Sequence, residues 1–132
     1  MTIAEQIATY LNAQSIATYS DAITSKIFIG QLPDGSDIYG IYTRPGKPIE
    51  SDLGYKSVGI QIIYRGTLNP IASQVEADTC FDALQGYSGK FVTGQNYIVS
   101  CLSKTGSNAY CLGTTEKGYF EYTMNFLVEF KI

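Results

Sequence analysis

The chain has 132 residues, a length typical of one domain, and hydrophobic residues make up 45% of it, enough for a core. Its net charge of −3 argues against a protein that holds nucleic acid through a basic patch. Three Cys without a C-x-x-C pair, and no His at all, argue against a zinc site.

The first predicted element is an amphipathic helix at the N-terminus. Thr2 and Glu5 have the spacing of a capping box. Ile3, Ile7 and Leu11 then recur on one face. This spacing predicts about three helical turns that lie against a core or a neighbour.

Three strands are predicted between residues 26 and 65. Strand-like residues over 26–32, a Pro-Asp-Gly turn at 33–35 and more strand-like residues over 37–43 predict two neighbouring antiparallel strands. The third strand, over about 57–65, has apolar residues on both faces, which predicts a central position. Residues 44–56 contain two Pro and two Gly and predict a long exposed loop.

A second helix is predicted after residue 69. Asn69 is a good N-cap, Pro70 suits the first helical position, and Gly86 ends the helix. Ile71 and Val75 lie on a different side from the face predicted to pack on the sheet, so they contact either another subunit or a loop of the same chain. The residues predicted to pack on the sheet are Ala77, Cys80, Phe81 and Leu84.

The last third of the chain predicts further strands over 97–102, 109–112 and 119–132, with a turn at 114–118. The final strand is long, with one core face and one face toward water, an opening or a partner. The pattern predicts an α+β fold: a mostly antiparallel sheet of four to five strands with two helices packed on one face. We expect a single domain over residues 1–132.

The sequence contains no set of residues typical of catalysis. No nucleotide-binding motif or nucleophile motif occurs, and the commonest general base, His, is missing. The three Cys are interpreted as small buried hydrophobes. We therefore expect no enzyme activity, no cofactor and no metal. Only 16% of the residues are charged and eleven are Tyr, a composition that favours a surface covered by a partner.

No secretory signal and no membrane span are predicted, because the N-terminus lacks positive charge and no apolar run approaches the roughly 20 residues of a membrane helix. We expect the protein to be made in the cytoplasm.

Several segments together carry a family resemblance. Asp82-Ala83-Leu84-Gln85-Gly86 ends the second helix as a "-DALxG" phrase, and the strand before that helix has the form "…vQvrvRG". The other similar segments are residues 27–34, 38–42, 55–66 and 118–126. In this order, over most of the chain, they resemble the minor capsid or tail terminator (tail completion) proteins of long-tailed bacteriophages.

The resemblance implies a structural role in the virion. Family members form a ring, usually of six subunits, at the head-proximal end of the tail tube. The ring stops tube polymerisation and meets the head connector, while DNA passes through without specific binding and no membrane is involved. We therefore expect a homo-oligomer in the virion, assembled in the host cytoplasm from tube, connector and ring proteins.

Two sets of residues are candidates for this role. The candidate subunit or partner contacts are Ile71, Val75, Arg44, Lys47, Tyr55 and Leu127. The candidate acidic residues of the channel are Asp78, Asp82, Glu121 and Glu129. Two alternatives stay open: another head–tail connector or tail tube subunit, and a small-ligand-binding α+β module with a Tyr-lined pocket.

Overall fold

A computed structural model describes residues 1–48 and 54–131 of the chain. Part of the loop predicted over 44–56, residues 49–53, and the last residue of the predicted final strand, Ile132, lie outside the described residues. The elements are α1 (Ile3–Ala13), β1 (Ile27–Ile29), β2 (Ile38–Arg44), β3 (Tyr55–Arg65), α2 (Pro70–Leu84), β4 (Ile98–Ser103), β5 (Tyr110–Thr114) and β6 (Phe120–Lys131).

Helix α1 begins at the predicted capping box. The backbone N–H of Glu5 donates to Thr2 Oγ1 at 3.1 Å, and the N–H of Thr2 donates to Glu5 Oε1 at 3.2 Å. The hydrogen bond from the Thr2 backbone lowers the pKa of the Glu5 carboxyl. Ile3, Ile7 and Leu11 are buried, so the predicted amphipathic face is confirmed.

Helix α2 also has the predicted ends. The Asn69 side chain accepts hydrogen bonds from the N–H groups of Ile71 and Ala72 at 3.0 and 3.1 Å, and Pro70 is the first residue of the helix. The predicted packing face is confirmed, since its members are buried. These are Ala77, Cys80, Phe81 and Leu84.

The six strands form one sheet in the order β1-β2-β3-β6-β4, and β5 also pairs with β6. The α+β fold and the mostly antiparallel sheet are confirmed, but the sheet has one strand more than the four to five expected. Strand β3 lies between β2 and β6, which confirms its central position. All pairs are antiparallel except the first, in which Ile27 lies opposite Tyr39 in a parallel register.

The expectation of an antiparallel hairpin at residues 26–43 is therefore wrong. Residues 30–37 cross back over the sheet, so β2 starts at the same end as β1. Two hydrogen bonds between this segment and the end of β3 support this path. Arg65 Nη1 donates to Pro33 O at 2.7 Å, and the N–H of Asp37 donates to Gly66 O at 3.2 Å. A local turn signal cannot reveal these distant partners.

One face of the sheet holds the core. Ile62 of β3 lies opposite Ile41 of β2 and Met124 of β6, and all three side chains are buried. Both helices belong to the same buried cluster, which confirms the two helices on one face. Neither described helix lies on the opposite sheet face, which carries Gln61 and Asn125. Within the described residues, no helix is long and apolar enough to span a membrane.

Candidate interaction surfaces

The described residues contain no group of three or more His, Cys, Asp or Glu side chains that could hold a metal ion. Three hollows of 220, 440 and 370 Å³ lie on the surface of the described chain. Each has a single Tyr in its lining: Tyr119, Tyr39 and Tyr97 respectively. None of these three hollows has the Tyr-rich lining expected of the ligand-binding alternative.

An apolar stripe is exposed along the first half of α2 and on Leu68, just before its N-cap. Leu68, Ile71 and Val75 are 65%, 76% and 61% exposed. Ile71 and Val75 are exposed because the buried positions of α2, among them Ala77 and Phe81, face the sheet and turn the opposite side of the helix outward. Within the described residues no loop covers Ile71 or Val75, and their contact with another subunit stays a prediction. Contiguous exposed apolar groups are typical of protein-binding surfaces.

Strand β5 is exposed over its whole length. It has no charged residue, and Tyr110 and Leu112 are 59% and 52% exposed. The register with β6 shifts between Cys111 and Gly113, so Leu112 is an extra, unpaired residue. An uncharged, exposed edge strand is a ready template for pairing with another chain.

The expectation that all three Cys are buried is wrong for Cys111, which is exposed because β5 lies at the sheet edge. Cys80 and Cys101 are buried. Burial raises the pKa of the Cys101 thiol to about 12 and also raises that of Cys80. Only Cys111 thus combines a thiol with access to solvent.

Strand β5 and the α2 stripe lie side by side. The N–H of Ala109, just before β5, donates to Oδ1 of Asp78 on α2 at 3.3 Å. The hydroxyl of Tyr122, which lies opposite Cys111, donates to the carbonyl of Pro70 at 3.4 Å. These contacts bring the start of β5 close to α2. The exposed apolar side chains here, called the α2–β5 surface, are Leu68, Ile71, Val75 and Leu112. Tyr110 lies opposite Thr123, so it faces the helix-free side of the sheet.

The other candidate contacts lie elsewhere, on the helix-free face or at the far end of the sheet. Arg44 Nη2 donates to Gln61 Oε1 at 2.7 Å, and the Arg44 guanidinium lies 5.1 Å from the centre of the Tyr42 ring. Tyr55 is 39% exposed at the start of β3, and Leu127 is half-buried in β6. The structure therefore does not bring these residues together with Ile71 and Val75.

Two of the four candidate channel acids lie on the helix-free face of the sheet, and the other two lie on α2, which packs on the opposite face. Glu121 and Glu129 lie on the helix-free face, where they pair with Arg65 at 3.2 Å and Lys47 at 3.1 Å. Asp78 and Asp82 lie on α2. Asp78 accepts hydrogen bonds from Gln74 and Ala109, whereas Asp82 is exposed. No single surface of the described chain carries all four acids.

Sequence reasoning missed two residues of the α2–β5 surface, Leu112 of β5 and Leu68. A signal was present, because residues 105–115 contain no charged residue. A charge-free segment of this length is unusual for an exposed strand, which normally carries Lys or another protective charge.

One family model matches the chain, and one solved structure shares its fold. A family model described as "Bacteriophage tail terminator protein" matches residues 10–132. Among solved structures, a chain from the "Virion of native gene transfer agent (GTA) particle" is similar with a TM-score of 0.54 and 15% sequence identity. The match covers 98% of this chain and 96% of that chain, and at this identity it shows the shared fold alone. No curated protein matches in sequence.

Proposed function

The chain belongs to the bacteriophage tail terminator family, and from this premise we propose that it caps the tail tube as a ring and provides the surface that joins the tail to the head. The family makes it a structural protein of the phage tail. The observation that carries the finer proposal is the α2–β5 surface, where four large apolar side chains are at least half exposed.

A ring explains this exposure. Subunits in a ring use heterologous contacts, in which one surface of each copy meets a different surface of the next. An apolar surface on one side of the molecule would be covered in the ring and exposed in the isolated chain. The ring, rather than the single subunit, would then be the stable form in the virion.

The proposed role is mechanical and involves no chemical step. A ring on the last layer of the tube blocks the surface to which the next tube subunit would bind. Its other side would meet the head connector. We expect six subunits, as the family resemblance implies, and we expect the protein to be a virion component that assembles in the host cytoplasm.

The acidic character of the chain supports passage of DNA without binding. The net charge is −3, so a channel lined by this chain would repel phosphate more than hold it. The exposed carboxylate of Asp82 is the best candidate for such a lining, because Glu121 and Glu129 are each paired with a cation.

Purified protein added to growing tail tubes of the same phage tests this function. We expect tubes that stop at a fixed length and carry a ring at one end in electron micrographs. Unaltered growth would contradict the proposal. Growth of the added protein itself into long tubes would instead favour a tube subunit.

A further inference from the structure

One dipeptide of the chain has a reactivity of its own. Asp34-Gly35 is the single Asp-Gly pair in the sequence, and no Asn-Gly pair occurs. The carboxyl group of an aspartate can reach the backbone nitrogen of the next residue, but a Cβ on that residue hinders the approach. Glycine has no Cβ and rotates more freely than any other residue. The sequence therefore marks this position for a reaction between a side chain and its own backbone.

The structure leaves this pair accessible. Asp34 and Gly35 are exposed, at the edge of the 220 Å³ hollow that Arg65 and Tyr119 also line. Packing does not hold the backbone here, since a Cβ built at Gly35 would meet only Cδ1 of Ile38, at 4.0 Å. Water therefore reaches both residues, and the turn has room to change shape.

The two groups that would react are both free. Within residues 1–48 and 54–131, the N–H of Gly35 donates no hydrogen bond, and the Asp34 carboxyl takes part in neither ion pair. The φ of Gly35 is +132°, in the region that favours glycine. Other partners thus do not hold the nitrogen and the carboxyl group apart.

The other aspartates among the described residues lack this combination. Asp78 and Asp82 lie inside α2, where the next backbone nitrogen belongs to the hydrogen-bonded helix. The N–H of the residue after Asp21 donates to Ser20 Oγ at 3.3 Å. Asp37 precedes a buried isoleucine, whose branched side chain hinders the approach.

We propose that Asp34 is a site of spontaneous isomerisation to isoaspartate. The nitrogen of Gly35 attacks Cγ of the Asp34 carboxyl in its acid form. The N–Cγ bond forms, and the carboxyl OH leaves with the amide proton as water, which gives a cyclic succinimide. Water then opens this ring. Cleavage of the bond from the nitrogen to the main-chain carbonyl carbon of Asp34 leaves isoaspartate, whereas cleavage of the new N–Cγ bond restores aspartate.

The modification acts on the contact between residues 30–37 and the end of β3. Arg65 Nη1 donates to Pro33 O at 2.7 Å and to Gly35 O at 3.5 Å. Isoaspartate at position 34 adds one methylene group to the backbone between these two carbonyls. They can no longer both stay in place, so Arg65 releases this part of the segment. The inference goes beyond tube capping and does not depend on it.

The first test follows isoaspartate in the purified protein during storage in warm neutral buffer. Isoaspartyl methyltransferase, which methylates isoaspartate and leaves aspartate unchanged, counts the product. We expect the signal to accumulate in the unchanged protein and to be lost in Asp34→Glu, which keeps the charge but must form a larger, slower-forming ring. Asp82→Glu is the matched control and should accumulate the signal as the unchanged protein does. No accumulation in the unchanged protein, or equal signal in Asp34→Glu, would overturn the proposal.

Proteolysis locates the modified residue. Endoproteinase Asp-N cleaves before aspartate and does not cleave before isoaspartate. In the stored protein, unfolded before digestion, cleavage before Asp34 should be lost in step with the methylation signal, whereas cleavage before Asp37 should stay complete. Loss before Asp37 or Asp82 with intact cleavage before Asp34 would contradict the assignment.

Thermal unfolding tests the consequence for Arg65. The isomerised fraction, separated by chromatography, should melt about 3 °C or more below the unmodified fraction, the shift expected when a domain of this size loses one hydrogen bond. In Arg65→Gln, which lacks the guanidinium, the two fractions should melt together. Equal melting of both fractions of the unchanged protein would refute the role given to Arg65.

Discussion

The hydroxyl of Tyr39 donates a 2.9 Å hydrogen bond to Oε1 of Glu76, and so joins the central part of the sheet to α2. Tyr39 is 1% exposed. A second buried tyrosine, Tyr64, lies beside it with ring centres 4.6 Å apart and donates to Asp37 Oδ1 at 2.7 Å. The sheet thus holds α2 and the start of β2 through the phenol groups of two core residues.

These hydrogen bonds predict a loss of stability on removal of either hydroxyl. Tyr39→Phe and Tyr64→Phe should each lower the free energy of unfolding by about 1 to 3 kcal/mol, because each removes a hydrogen bond to a carboxylate. Tyr97→Phe is the matched control, since Tyr97 is 45% exposed and should change stability by less than about 0.5 kcal/mol. Urea unfolding measures all three, and equal stability of the buried and exposed variants would contradict the prediction.

The two ion pairs on the helix-free face predict unequal effects. Arg65 and Glu121 have side chains 17% and 25% exposed, whereas Lys47 and Glu129 are 65% and 34% exposed. Glu121→Gln should cost about 1 kcal/mol, because Arg65 also holds the crossing segment through Pro33. Glu129→Gln should cost less than about 0.5 kcal/mol. Thermal unfolding at low and high salt checks this order, and a larger loss for Glu129→Gln would refute it.

The cysteines predict a simple count of reactive thiols. Cys80 and Cys101 are buried with raised pKa values, so the thiolates needed for reaction are scarce. Cys111 is exposed. One thiol per chain should therefore react with a colorimetric thiol reagent in the native, unassembled protein, and three thiols per chain should react after unfolding. Rapid reaction of a second thiol in the native state would show that the core opens more readily than its packing indicates.

The buried phenols and thiols predict a loss of stability in alkali. Burial raises the pKa of Tyr39, Tyr64 and Cys80 above the ordinary values of 10 and 9. The folded state therefore favours the neutral groups, and their contribution to stability is fully present below pH 9. It is lost as the pH rises from there toward the folded-state values, since the unfolded chain ionises first.

Urea unfolding below pH 9 and above pH 10 measures this loss. Tyr39→Phe should show a smaller difference between the two conditions than the unchanged protein does. A stability that stays constant or increases with pH over this interval would contradict the assignment of buried neutral groups.

Much of the fold follows from local patterns. The ends of α2, for example, depend on Asn69 and Pro70, which act within one turn of their own position. The alternation from Phe120 onward likewise reveals which side of β6 is buried, because successive strand residues point to opposite faces. The two helices, the order of the elements and the face that the helices cover could be predicted in this way.

The functional surface depends on contacts between distant parts of the chain. Nothing near Tyr110 in sequence shows that α2 lies beside it, since that contact joins Ala109 to Asp78. The parallel register of β1 similarly depends on Arg65 and Gly66 holding residues 33–37. Local periodicity cannot encode which edges are covered, because the groups that cover them come from elsewhere.

By itself, the sequence determined the helices, the alternating strands, the α+β class and a family whose motifs appear in order, because each depends on residues within a few positions of one another. Only the tertiary structure decided which edge is left open, which cysteine is exposed and which acids share a layer. These properties depend on strand pairing and packing between segments 20 to 100 residues apart, where backbone hydrogen bonds and burial select one arrangement.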